Sequence, residues 1–287
     1  MNERSPHFLH AKMALEPVLA VPIPAPRALK WCAGREVLLV ASADGTVSSV
    51  EPSFGSRALF VAAPDPVQIT TSGDRVGLLS ADGAVDIWCL GESTPSQQFQ
   101  SGLSGDSGLR FCAECIAVIG DSPAGRRVRL FAEGACVRDV AVQEGTALGV
   151  TDDGDLRLAR SLQSGIHVGA LGTPLPEGEA TGHQLRFTPG GHVMGVAVGG
   201  ATLWSGGPPL SVRLLDSSCA ALAPDGHTVA LGTQTGLVAL SDMRGPPALR
   251  GHPARISAHE APVRCISFAT RGRWLATVAE ICRLWAY

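Results

Sequence analysis

The sequence is poor in lysine, in tyrosine and in charge of either sign. Its 287 residues include two lysines (Lys12 and Lys30) against 21 arginines, and a single tyrosine, Tyr287. Charged residues make up 17% and the net charge is −3, which excludes a general binder of nucleic acid or of anionic membranes, since either needs a basic field. No apolar run approaches the roughly 18 residues of a membrane span, and no stretch near the start has the charged, apolar and small-residue order of a secretory leader. The chain is therefore expected to be cytoplasmic. Also missing are a Gly-x-Ser-x-Gly elbow, a phosphate-binding Gly-Lys-Ser/Thr and paired glutamates at helical spacing. Gly190-Gly191 and Gly199-Gly200 read as turn glycines, because no helix follows them. No cofactor is expected. The lysine shortage, beside abundant Arg, Ala and Gly, reads as the codon bias of a GC-rich, bacterial genome.

Apolar residues and turn formers are plentiful: 45% hydrophobic, with 34 Gly and 20 Pro. That balance favours many short strands over long helices. The C-terminal stretch shows the unit. His259-Glu260-Ala261-Pro262-Val263 leads into Ile266-Ser267-Phe268, then Gly272, then Trp274-Leu275-Ala276-Thr277-Val278, and Cys282-Arg283-Leu284-Trp285 closes it. Upstream, Asp44-Gly45 separates Val37-Leu38-Leu39-Val40 from Thr46-Val47-Ser48-Ser49-Val50, and Asp82-Gly83 separates Val76-Gly77-Leu78-Leu79 from a run ending in Trp88. Asp-Gly between apolar runs is a strong hairpin signal, because glycine accepts the positive φ of the turn. Gly182-His183 with Phe187-Thr188-Pro189, and Leu222-Ala223-Pro224-Asp225-Gly226, open two further copies, the first closing on Trp204. Weaker copies begin at Leu109-Arg110-Phe111 and at Val140 with Val142. The spacing is about forty residues.

This order resembles a blade of the WD40 β-propeller family, with Ala279-Glu280 and Trp285-Ala286 where family blades prefer a turn Asp and a Trp-Asp pair. The resemblance implies an all-β fold, a seven-bladed propeller over residues 18–287 after an N-terminal tail of residues 1–17. Blades are expected near 27–62, 63–100, 107–137, 138–170, 180–215, 216–250 and 256–287. The last has only three strands of its own. Val18-Leu19-Ala20-Val21-Pro22-Ile23 has β-forming residues and no blade, so a strand near 18–23 is expected to complete it and close the ring. The family pattern also implies a structural network in which His259 bonds to Thr277, with Trp285, Trp88 and Trp204 as equivalent blade tryptophans.

Two constellations invite a chemical reading. Cys112-Ala113-Glu114-Cys115 is a CxxC, but a zinc site needs a second ligand pair and a redox site needs a βαβ context, and neither is visible. The plainer reading is two small residues flanking a hairpin turn, and all eight cysteines are expected as free thiols. Asp152-Asp153-Gly154-Asp155 is a fragment of a calcium loop without the closing Glu, and a hairpin turn explains it. No metal site is expected.

Arginines are the remaining signal. Arg110 and Arg186 share a slot in two Leu-Arg-Phe runs, and with Arg264, His183 and His252 they are the candidate partner-binding residues. Arg suits this role because it pairs bidentately with carboxylates. The propeller resemblance would gather these side chains around one channel mouth with Asp44, Asp82 and His259; the competing site is a long rim loop over residues 91–108. A non-catalytic interaction scaffold is expected, a monomeric disc in a hetero-complex with protein or peptide partners and neither nucleic acid nor membrane. The alternatives are a trigger-sensing subunit of a bacterial signalling or defence assembly, and a propeller enzyme with its site at the channel mouth.

Overall fold

The structure, a computed structural model, describes residues 15–32, 35–52, 55–112, 115–150, 155–178, 184–187, 192–197, 199–204, 209–244 and 254–287. Its strands form seven antiparallel sheets. β1 (Glu16–Val21) comes first and belongs to the last of them. Blade 1 is β2 (Pro26–Trp31), β3 (Leu38–Ser42), β4 (Thr46–Glu51) and β5 (Gly55–Val61). Blade 2 is β6 (Pro66–Ser72), β7 (Arg75–Ser80), β8 (Ala84–Cys89) and β9 (Gln97–Gln100). Blade 3 is β10 (Ser104–Phe111), β11 (Ile116–Ser122), β12 (Gly125–Ala132) and β13 (Ala135–Ala141). Among the described residues blade 4 has three strands, β14 (Thr146–Val150), β15 (Leu156–Leu162) and β16 (Gly165–Ala170). Blade 5 is β17 (Gln184–Phe187), β18 (Val193–Ala197), β19 (Gly200–Trp204) and β20 (Leu210–Arg213). Blade 6 is β21 (Ser217–Leu222), β22 (Thr228–Thr233), β23 (Leu237–Asp242) and β24 (Ala254–Ser257). Blade 7 is β25 (Cys265–Phe268), β26 (Trp274–Val278) and β27 (Cys282–Ala286), completed by β1. The fold is a seven-bladed β-propeller. Among the described residues no helix is long and apolar enough to cross a membrane.

The Asp-Gly turns do what their chemistry requires. Asp44 Oδ1 accepts from Thr46 N at 2.9 Å and Asp82 Oδ1 from Ala84 N at 3.0 Å, while Gly45 and Gly83 both sit at φ 87°. A Cβ on Gly83 would lie 2.2 Å from the Leu103 carbonyl oxygen, so the turn also packs where no side chain fits.

Apolar clusters bridge neighbouring blades. Leu39, Val47, Leu78 and Trp88 join blades 1 and 2, and Leu203, Val212, Leu222 and Leu231 join blades 5 and 6. A blade alone would leave both faces wet, and stacking in a ring buries them. The ring closes through β1, which pairs antiparallel with β27, Leu19 opposite Leu284 and Val21 opposite Cys282. Val21 and Ile23 are buried with Trp31, Val278 and Leu284. The strand starts at Glu16, two residues before the expected span.

Two expectations are corrected. Val140 pairs with Val128, so it closes blade 3 instead of opening blade 4. The cause is that β13 is mostly exposed and lacks the alternation that marks a strand. Blade 4 is therefore short, and Arg160 straps the following segment to it. Its guanidinium donates to the carbonyl oxygens of Glu144 (3.0 Å), Pro176 (3.0 Å) and Gly178 (2.7 Å). A cleft of about 460 Å³ with aliphatic walls, including Val142, Leu158 and Leu175, lies between these two blades. The long rim loop is also reduced, since β9 and β10 occupy much of residues 91–108, and Ser101 and Leu103 are buried.

Candidate functional site

β2, β6, β10, β14, β17, β21 and β25 are the inner-edge strands of their sheets, and successive ones touch around most of the ring. They wall the central channel. In three of them the last three residues read Leu-cation-aromatic: Leu29-Lys30-Trp31, Leu109-Arg110-Phe111 and Leu185-Arg186-Phe187. The ladders place these cations in one structural slot, Lys30 opposite Leu39, Arg110 opposite Ala117 and Arg186 opposite Met194. The same slot holds Thr70, Gly149, Ala221 and Ser267 in the other inner strands.

The cations belong to blades 1, 3 and 5, which do not adjoin, yet their charges act on one another. Burial lowers the Arg110 pKa to about 10, and the Arg186 guanidinium adds to the shift. Burial brings Lys30 down to about 8, with the Arg110 charge lowering it further and Cys32 opposing. Groups on non-adjacent inner strands interact in this way across the channel. Lys30 and Arg186 are nevertheless exposed to water, as groups lining a solvent-filled opening are. Among the described residues no carboxylate pairs with Lys30, Arg110 or Arg186. Arg110 donates to the carbonyl oxygen of Leu109 at 2.7 Å.

The expected candidates separate. Arg110 and Arg186 come together; Arg264 stands just before β25, at the strand-start end, whereas the three cations are next to last in theirs. Because strands alternate in direction, the strand-start end shares a face with the Asp44, Asp82 and His259 turns. The cations lie toward the opposite mouth. His183, His252 and Asp152-Asp153 fall outside the described residues. Lys30 is the residue that motif reading misses, although its Leu-Lys-Trp context matches the two Leu-Arg-Phe runs.

His259 is buried against blade 7. Its Nε2 lies 2.8 Å from Thr277 Oγ1, its Nδ1 3.3 Å from Glu280 Oε1, and Trp285 Nε1 donates to Thr277 Oγ1 at 2.9 Å. Glu280 accepts only, so the arrangement that satisfies every group has Nδ1–H facing Glu280 and the Thr277 hydroxyl donating to Nε2. Burial lowers the His259 pKa, against the raising effect of Glu280. In blade 2 Leu78 stands where Thr277 stands, and Trp88 instead stacks on Phe60 with centroids 4.3 Å apart. Trp204 ends β19 opposite Val193.

The cysteines correct an expectation. Cys112 and Cys115 form a disulfide across the hairpin between β10 and β11, their Cα atoms 5.2 Å apart and Cys112 N donating to Cys115 O at 2.9 Å. That separation is within disulfide reach, which a sequence reading as two small turn residues overlooks. The other six are free thiols. Among the described residues no three His, Cys, Asp or Glu side chains group to hold a metal ion.

No protein-family model matches the chain, and no curated protein does. Among solved structures, a chain of the mitotic checkpoint complex matches with a TM-score of 0.73 at 15% identity, over 100% of this chain and 96% of that one. It is a WD40 propeller, and the likeness is one of fold.

Proposed function

We propose that the chain is a non-catalytic recognition module, a single cytoplasmic disc in a larger complex that holds a protein or peptide partner at its channel. One observation carries this reading: a rigid ring presents three cations, Lys30, Arg110 and Arg186, that no carboxylate among the described residues neutralises. Cations held close enough to act on one another repel, and an acidic partner group offsets that repulsion. The checkpoint-complex chain, part of a protein assembly by its title, supports a scaffold role by analogy of fold alone. Charge reversal tests it. Arg110→Glu and Arg186→Glu, each checked for folding, are used beside the wild type to capture partners from the native host, with quantitative mass spectrometry. Partners recovered by the wild type are expected to fall roughly 10–100-fold with either variant, a hot-spot loss of about 1–3 kcal/mol. Folded variants that keep the same partners at the same yield overturn the reading.

A further inference from the structure

Resting on the reading that the channel cations form a recognition site, we propose that Lys30, Arg110 and Arg186 together bind a phosphate group inside the channel.

The three cations come from three blades spaced around an axis, in one slot of their inner strands, and the charge of Arg186 acts on Arg110 as that of Arg110 acts on Lys30. A carboxylate is planar, carries one charge and offers two oxygens. A terminal phosphate carries close to two charges at neutral pH and presents three oxygens, one for each of three cations. Guanidinium suits such oxygens through paired N–H groups, and lysine adds a point charge.

The rest of the slot leaves room. Thr70, Gly149, Ala221 and Ser267 are short and uncharged, so nothing in it competes with the anion. Each cation is followed in the next blade by one of these small residues, which lets its long side chain lean over the neighbouring strand. Burial first and the Arg110 charge second lower the Lys30 pKa, Cys32 opposes them, and among the described residues no carboxylate acts on it. A bound dianion would raise the Lys30 pKa, so that near pH 8 binding brings a proton with it. Free phosphate compounds and a phosphorylated side chain of a partner present the same chemistry.

The test uses the full chain. Inorganic phosphate and pyrophosphate are titrated at low ionic strength, by calorimetry and by thermal unfolding, with chloride at equal ionic strength as control. Saturating phosphate is expected to raise the unfolding temperature by roughly 5 °C. Binding at pH 8 is expected to take up protons, seen as a heat that changes with the ionisation enthalpy of the buffer. Lys30→Met and Arg186→Met should each weaken phosphate binding at least tenfold while leaving the unliganded protein equally or more stable, since each removes repulsion; Lys30→Met should abolish the proton uptake. A phosphorylated and an unphosphorylated version of one acidic peptide separate the two sources. Preference for the phosphopeptide over free pyrophosphate assigns the group to a partner, and the reverse assigns it to a small molecule. No effect of phosphate on the wild type, or variants that lose stability but keep the phosphate shift, overturn the proposal. Partner capture that survives this failure leaves the scaffold reading intact.

Discussion

Closure of the ring can be locked with one substitution. Val21 in β1 lies opposite Cys282 in β27, both are buried in the cluster that joins blades 7 and 1, and Cys282 is a free thiol. Val21→Cys therefore sets two thiols on adjacent closing strands. A bond between them would tie off a loop of about 260 residues, for which the chain-entropy model gives about 5–6 kcal/mol. Replacing the buried valine costs about 1 kcal/mol, and measured gains fall short of the entropic value, so a net of about 3–4 kcal/mol is expected. At 2–4 °C per kcal/mol, the unfolding temperature should rise by roughly 10 °C. The variant is refolded under oxidising conditions, mapped by non-reducing proteolysis and mass spectrometry, and melted with and without reductant beside the wild type. The wild-type control removes the contribution of Cys112–Cys115. If the introduced thiol stays free while the protein folds, or the bond forms without raising the melting temperature, β1 does not close the ring and the account of blade 7 fails.

Thr277→Val keeps the shape of a fully buried side chain but strips Trp285 Nε1 and His259 Nε2 of their partner, so a loss of about 2–5 kcal/mol is expected by denaturant unfolding. Adding Trp285→Phe removes one stranded donor and should recover part of it. Because burial holds the His259 pKa below its usual 6.5, the unfolded chain takes up a proton there first; stability should fall as pH drops below about 6.5, and His259→Gln should flatten that limb of the profile. Gly236→Ala places a Cβ 2.1 Å from the His259 carbonyl oxygen at φ 81°, whereas Gly226→Ala, at φ 76°, meets nothing within 4 Å. The first should cost at least about 2 kcal/mol more than the second, and equal costs would show that the turn is not packed as described.

Much of the blade order was legible because its signals are local. Asp44-Gly45 and Asp82-Gly83 mark turns whose geometry admits little but glycine, and the runs ending in Trp88 and Trp285 mark third strands. The boundary at Val140 was not legible, since a mostly exposed outer strand has no buried face to impose a period on β13. The disulfide was hidden because CxxC is informative only with its context, and here the context is a hairpin. The site was half legible. Arg110 and Arg186 announced themselves by a shared tripeptide, but Lys30 differed in two of three letters while keeping the pattern of apolar, cation and aromatic. That all three side chains lie toward the mouth opposite His259 follows from strand direction and position in the strand, which a motif does not state.

The charge around the channel is lopsided, and this bears on what the site can do. Blades 1, 3 and 5 bring cations to the slot, whereas blades 6 and 7 bring Ala221 and Ser267. In those two blades Cys219 and Cys265 donate to carbonyl oxygens, Cys219 to Val263 and Cys265 to Arg27, each at 3.4 Å; Cys219 is buried between the blades, and Cys265 follows Arg264. Burial drives the Cys219 pKa up to about 12 and raises Cys265 as well, so even with Arg186 acting on both to lower them they stay protonated near neutral pH. A protonated thiol is a poor nucleophile. An anion drawn toward Lys30, Arg110 and Arg186 would thus be offered no thiolate by Cys219 or Cys265. Covalent catalysis by either thiol would first have to reverse that protonation, by removing the thiol from its buried surroundings.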